Sequence, residues 1–440
     1  MSETPPPSTN STPAEIIADL QGRLPEHGLF QDRSWVPSPE PFALSKSQVR
    51  QLQQLGNLLA KFVACSDDAY RRSLKGSLPE WISSYLDAGK PEFLRELGRS
   101  TKAAPELPMV IRPDLLVTAD GFAITELDSV PGGIGLTDFL HQFYSDHGHD
   151  LVGGRDGMRD GFASILPDGG DIVISDESAD YRPEMEWLSS QLGADRYPVF
   201  RAEDYEPKVG RRIYRFFELF DHANIPFLKN HAKQLASGEI QMVAPAKPHL
   251  EEKNWFGLFW RRQLREFWRR GLRDKGFRQL QELLPYSWIV DPAPIPDHAA
   301  IPKLDIGSWD EMGELGQKDR ELVLKVSGFS ELAWGSRGVW IGHDLPQDEW
   351  NEAVQNAIKA FPEGPRALQE FRPPVRVDHP VWDTANQQVA TMDGRVRLCP
   401  YYFVVGGKAN LGGVLATIVP ADKKVVHGMS DSTLVPCVQA

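Results

Sequence analysis

Residues 109–140 read MVIRPDLLVTADGFAITELDSVPGGIGLTDFL, and the fold turns on how this stretch is read. The apolar run 109–111 predicts a strand that delivers Arg112 and Asp114 at its end. Residues 118–121 predict a turn, and 122–127 a returning strand that delivers Glu126 and Asp128. Residues two apart on a strand face the same side, so Arg112 shares a direction with Asp114, and Glu126 with Asp128. A hairpin of this length gathers three carboxylates and a guanidinium at its open end. Hard cations such as Mg²⁺ are held by a few carboxylates plus substrate phosphates, and arginine grips anions bidentately. The pattern predicts an Mg-nucleotide site.

Composition sets the limits around that site. A chain of 440 residues exceeds what one hydrophobic core organises, so two or three subdomains are expected. Hydrophobic content of 41% and charged content of 25% are those of a globular protein. The net charge of −13 argues against a general nucleic-acid binder. Cys65, Cys399 and Cys437 are far apart and lack CxxC spacing, which predicts reduced thiols and no zinc site. No apolar run approaches the ~20 residues that span a bilayer, and the N-terminus has no basic-then-apolar signal pattern. A cytoplasmic protein without a membrane partner is expected.

Along the chain, residues 1–40 read as a disordered or extended tail, most clearly over the proline-rich 1–14. Residues 41–168 predict a helical region plus the hairpin. Apolar residues at helical spacing mark 45–64, and further helices are expected over 79–87, 91–97 and 136–144. Residues 169–252 predict a small α/β unit. It has strands at 171–175 and 240–244 and helices at 183–192 and 211–220. Residues 253–440 open on a long helix to 284, softly broken at Gly271 and Gly276, and continue with strands at 320–326, 339–341, 366–371, 396–405 and 413–419 and a helix at 347–361.

In that last region a strand ends in Lys325 and runs into a loop, 327–338, with three glycines. Lysine supplies a point charge, and the backbone N–H groups of Gly335, Ser336, Arg337 and Gly338 can cradle phosphate oxygens. The GxxxxGK[ST] spacing of a P-loop is absent. Further on, Gln369 and Glu370 end an apolar strand just before Arg372-Pro373-Pro374, a place from which backbone groups can meet an adenine.

Arg112-x-Asp114, Glu126-x-Asp128 and Pro131-Gly132, with lysines, a glycine loop and a Gln-Glu strand downstream, resemble the circularly permuted ATP-grasp enzymes, in particular the glutathionylspermidine synthase-like synthetases that lack an amidase. In that group the metal-ligand hairpin precedes the ATP-binding lysines, as here. The resemblance covers roughly residues 105–420 and is strongest in the hairpin. It implies a permuted ATP-grasp fold (α+β / α/β) with a small inserted α/β unit of the preATP-grasp kind and a helical N-terminal region. It also implies ATP and Mg²⁺ as cofactors. Asp114, Glu126 and Asp128 would hold the metal, and Arg112 would steady the acyl-phosphate. Lys253 (within 240–259, IQMVAPAKPHLEEKNWFGLF), Lys303 and Lys325 would contact the nucleotide. The 327–338 loop, with Gly335, Ser336, Arg337 and Gly338, would close over the phosphates, and Gln369, Glu370 and Phe371 would line the adenine pocket. The family pattern usually has asparagine where this chain has Asp128, which keeps a metal ligand but adds negative charge.

The reaction so implied joins a small-molecule carboxylate to an amine. The carboxylate attacks the γ-phosphate, ADP leaves, and the amine displaces phosphate to give an amide. An ATP-grasp-like kinase that stops at phosphoryl transfer, and a nucleotide-binding scaffold without turnover, are the alternatives. His141, His147 and His149 with Asp146 and Asp150 read as a polar helix end before a metal site. His427, Ser430 and Asp431 have no nucleophile elbow around them. The aromatic and arginine-rich stretch 255–273 reads as core aromatics with surface arginine stems before a polyanion-binding face.

Overall fold

The structure is a computed structural model, and it describes residues 11–32, 34–100, 106–296, 299–333, 337–423, 425–426 and 431–440. The chain divides into two compact units, each built from separated segments. The first takes 1–60, 106–245 and 374–440, and the second 61–105 and 246–373.

The first unit is organised by a seven-stranded sheet. Its order is Phe42–Leu44, Thr433–Gln439, Lys408–Pro420, Gln388–Val405, Val110–Thr118 and Gly121–Asp128, with Arg376–Asp383 pairing onto Gln388–Val405. All neighbours run antiparallel except the first pair, which is parallel. Leu115, Ile124, Leu398, Val414 and Ile418 are buried, so this sheet has a packed apolar face. A second sheet, all parallel, has the order Val199–Arg201, Asp171–Ile174, Arg212–Phe216 and Gln241–Met242.

The second unit contains a four-stranded antiparallel sheet in the order Val339–Ile341, Leu322–Lys325, Ala367–Glu370 and Ser287–Ile289. Trp288, Trp309, Met312, Leu324, Trp350 and Leu368 pack its core. Trp255, Phe256 and Phe259 are buried on the helix Asn254–Trp260, while Arg262, Arg265, Arg270 and Arg273 are exposed. Long amphipathic side chains divide this way because their stems can cover apolar surface with the charge left in water.

Four expectations are corrected. Residues 13–23, read as part of an extended tail, form the helix Pro13–Arg23. Thr12 and Glu15 close a capping box around its start, and Pro13 sits at its first turn. Residues 212–216, read within a helix, are the strand Arg212–Phe216. A buried parallel strand has apolar residues in succession and mimics a buried helix turn. The long helix expected from 253 is two, Asn254–Trp260 and Arg265–Leu283, and the second is kinked at Arg273 (φ 62°) and not at a glycine. Gly271 answers to packing instead, since a Cβ there would meet the Cys65 sulfur at 2.5 Å. Finally, Arg112 and Asp114 lie inside the strand Val110–Thr118, not beyond its end.

Candidate functional site

Strands Val110–Thr118 and Gly121–Asp128 pair with Arg112 opposite Asp128 and Asp114 opposite Glu126, and the register shifts just after Asp114. On its other side, Val110–Thr118 pairs with Gln388–Val405 at Val110, Ile111, Leu115 and Leu116, with a gap across 112–114. Pro113 has no N–H to give there, and the shift bends the strand, so the ladder opens where the charged side chains project.

Into that gap come side chains that the sequence reading did not single out. Arg397 donates to Asp114 Oδ2 at 2.9 Å, and the Cys399 sulfur lies 3.5 Å from Asp114 Oδ1. The Tyr401 hydroxyl donates to the Gly132 carbonyl at 2.8 Å. Arg397, Cys399 and Tyr401 alternate along one strand, a period-two signal that could have flagged them.

Arg112 is held through all three guanidinium nitrogens. Nε donates to Asp114 Oδ1 at 3.1 Å, Nη1 to the Gly132 carbonyl at 3.1 Å, and Nη2 faces Asp128 Oδ2 at 3.2 Å. Burial works against its charge, but Asp114 and Asp128 more than restore it, and its pKa is raised. Burial also pushes the Asp128 carboxyl up, and Arg112 and the Val130 N–H (2.8 Å) pull it back only in part.

The donor set of Asp114, Glu126 and Asp128 is all carboxylate oxygen, which suits a hard cation that arrives with phosphates and needs one or two protein carboxylates. It is not an assembled cage. Among the described residues no group of three or more His, Cys, Asp or Glu is placed to hold a metal ion. Asp114 is shared by Arg112 and Arg397, and Asp128 by Arg112 and Val130.

The remaining expected residues lie in the second unit. Lys325 is 8% exposed and donates to Gln369 Oε1 at 2.8 Å, and Gln369 Nε2 reaches the Ser287 hydroxyl at 3.4 Å. Lys303, in a turn at φ 67°, lies 4.5 Å from the Tyr286 ring centroid and 3.4 Å from Glu370, which also accepts from Arg372 at 2.9 Å. Tyr286 in turn packs against Trp260 and Trp288, with centroids at 4.7 and 4.8 Å. Arg337 donates to the Glu331 carbonyl at 2.9 Å, and the Gly338 carbonyl accepts from Val326 N at 2.8 Å. A Cβ on Gly338 would meet Val326 and the Leu332 carbonyl, so the loop's return needs glycine. Gly335 and Ser336 lie outside the described residues.

One expectation about the adenine pocket needs correction. The N–H of Glu370 donates to the Tyr286 carbonyl at 2.8 Å and that of Phe371 to Glu321 at 2.9 Å, so neither is presented to a base. Phe371 packs edge-on against His343 at 4.6 Å.

Lys253 precedes the helix Asn254–Trp260, and its neighbours hold the root of the glycine loop. Asn254 N donates to the Ser327 hydroxyl at 3.3 Å. Glu252 accepts from the Ser327 hydroxyl and, at 3.1 Å, from Gly328 N, and pairs with Lys90. Burial alone would raise the Glu252 carboxyl, yet Lys90 and these donors hold it below its ordinary value. Neither Glu252 nor Lys90 is marked by a motif, since the contact joins residues 162 positions apart.

No family model matches the chain, and no curated protein matches it in sequence. Among solved structures, a glutathione synthetase-like effector (GSS30) from Globodera pallida, in its apo form, is similar over 100% of both chains with a TM-score of 0.55 at 10% identity. A candidate gamma-glutamylcysteine synthetase from Methylobacillus flagellatus aligns over 88% of this chain and 87% of that one, with a TM-score of 0.35 at 12% identity. The first likeness shows a shared mixed α/β fold along the whole chain. The second is too distant to add to it. No helix among the described residues is long and apolar enough to cross a membrane.

Proposed function

We propose that the chain is a circularly permuted ATP-grasp ligase of the carbon–nitrogen, ADP-forming kind, joining a small-molecule carboxylate to an amine. The observation that carries this reading is the fixed Arg112, bound through three nitrogens beside Asp114, Asp128 and the second guanidinium of Arg397. Phosphoryl transfer needs positioned charge more than a side-chain nucleophile, and this arrangement supplies it. Two guanidinium groups at one strand gap suit the oxygens of a transferring phosphoryl group.

In this reading Glu126 and Asp128, with Asp114, would hold Mg²⁺. When bound, the metal would offset the charge of the β- and γ-phosphates. Arg112 orients the attacked phosphorus and then the acyl-phosphate. Lys325, desolvated on its sheet, faces phosphate oxygens with a charge that low dielectric strengthens. The root of the glycine loop is fixed by Glu252, which accepts from Ser327 and Gly328. Lys303, packed over the Tyr286 ring beside that sheet, would contact the nucleotide. The shared fold with a glutathione synthetase-like protein agrees with peptide-like amide chemistry.

The test is ADP release from ATP·Mg²⁺ with panels of small carboxylates and amines, with Glu126→Gln as control. Ligase activity requires ADP and amide in equal amounts, both lost in the control. ADP formed on hydroxyl acceptors alone would mark the kinase reading. Tight ATP binding with no ADP for any pair would mark the scaffold, and undiminished turnover in Glu126→Gln would remove the metal assignment.

A further inference from the structure

Behind the hairpin, in the same unit, the helix Ile134–Asp146 begins at the Pro131-Gly132-Gly133 turn, with Gly133 at φ 90°. An N-terminus of this length ordinarily offers bare N–H groups to an anion. Here they are taken. Glu184, 0% exposed on the helix Arg182–Leu192, accepts from Gly133 N at 2.6 Å through Oε1 and from Leu136 N at 3.0 Å through Oε2, with Gly135 N as a further donor. The turn is locked by sterics as well. A Cβ on Gly132 would strike Tyr181, one on Gly133 the Tyr401 hydroxyl, and one on Gly135 the Glu184 carbonyl.

The Gly132 carbonyl at the centre of this turn is the acceptor for Arg112 Nη1 (3.1 Å) and for Tyr401 (2.8 Å). We propose that Glu184 is a positioning residue: by holding the N–H groups of Gly133, Gly135 and Leu136 it fixes the Gly132 carbonyl, and through it the plane of the Arg112 guanidinium. This rests on the reading of Arg112 given above. An arginine whose fork must meet two phosphoryl oxygens at once needs its plane fixed, so the carbonyl that sets that plane matters.

Burial of Glu184 pushes its carboxyl up to about 7, while the Leu136, Gly133 and Gly135 N–H groups and the Arg112 charge oppose the shift. The other groups that feel this carboxylate are Tyr181, Tyr214 and Tyr401, whose phenols are themselves raised by burial. The ionised carboxylate offers both oxygens to the turn, whereas a proton makes one of them a donor facing N–H groups. The hold on Gly132 therefore tightens as pH rises through neutrality.

The test uses the full chain with Glu184→Gln and, as rescue, Glu184→Asp. Hydrogen–deuterium exchange of the peptide covering 131–137 is read alongside ADP release from pH 6 to 8.5. The wild type is expected to gain kcat across neutrality. Glu184→Gln is expected to lose that rise, to have a kcat about tenfold lower at pH 8 with little change in KM for ATP, and to exchange faster over 131–137. Glu184→Asp should recover part of the pH dependence. Should Glu184→Gln fail to fold, Tyr401→Phe removes the second bond to the Gly132 carbonyl and should lower kcat in the same direction.

Unchanged exchange over 131–137, or faster exchange with an unaltered kcat and pH profile, overturns the proposal. A wild type that releases no ADP with any substrate pair overturns the ligase reading, and the exchange result then decides separately whether Glu184 holds the turn.

Discussion

At the end of the hairpin one guanidinium is bound by two carboxylates and a carbonyl inside the protein, whereas on the antiparallel sheet of the second unit Lys303 and Arg372 share one carboxylate near the surface. The Arg112 side chain is 16% exposed and that of Lys303 51%. Charge at the hairpin is over-determined by neighbours and register. Charge at the end of the strand Ala367–Glu370 is held in surface pairs. A transition state that needs fixed geometry belongs with the first, and a ligand that must enter and leave belongs with the second.

The largest effect expected from this contrast comes at Arg112. Arg112→Met leaves Asp114 to Arg397 and the part-buried Asp128 to the Val130 N–H, so stability should fall by about 1–3 kcal/mol in urea unfolding, with turnover lost. Arg112→Lys keeps the charge without the three-way geometry and should fold better than Arg112→Met yet remain nearly inactive. If Arg112→Lys keeps wild-type turnover, the fixed geometry is not what matters.

Next comes Lys325. Replacing it with methionine retains bulk but removes the buried charge beside Gln369. ADP release should drop about 10²-fold with a small change in melting temperature. A large loss of stability with unaltered turnover would make Lys325 structural.

Acid should expose a third difference. His249, in the second unit, has its pKa lowered to about 4, because burial outweighs the Asp67 hydrogen bond and charge. Its folded pKa lies below the unfolded value of about 6.5, so the unfolded chain binds more protons between the two. Stability should rise with pH from about 4 to 6.5, by up to about 3 kcal/mol. Glu184, in the first unit, is raised to about 7, so its contribution runs the other way and is lost as pH rises from about 4.5 through 7. Urea midpoints across this range should have a shallower acid limb in His249→Gln and a flatter neutral limb in Glu184→Gln. Parallel curves for all three proteins would refute the assignment.

The smallest effect is expected at Lys303. Its exposed pair with Glu370 is worth about 0.5 kcal/mol or less, and Lys303→Ala should weaken ATP binding only a few-fold by calorimetry. A loss comparable to that at Lys325 would mean the edge is as fixed as the hairpin.

How much of this was legible follows the same contrast. The hairpin could be read because a short turn fixes register and period two fixes facing. The strands Leu322–Lys325 and Ala367–Glu370 were legible for similar local reasons. The groups around Arg112 were not. Arg397, which binds Asp114, is 283 positions from it, Tyr401 acts through a backbone carbonyl, and Glu184 caps a helix from another helix. No local pattern encodes such contacts. The strand Arg212–Phe216 was hidden by the burial of residues 213–216 in succession, and the use of the Glu370 and Phe371 N–H groups depends on a register that the sequence does not print.

The most direct test of the ligase reading is positional isotope transfer. With the carboxylate–amine pair that supports ADP release, oxygen-18 in the carboxylate should appear in the released phosphate, one atom per amide formed. Amide formation with no oxygen-18 in phosphate would contradict an acyl-phosphate made at Arg112.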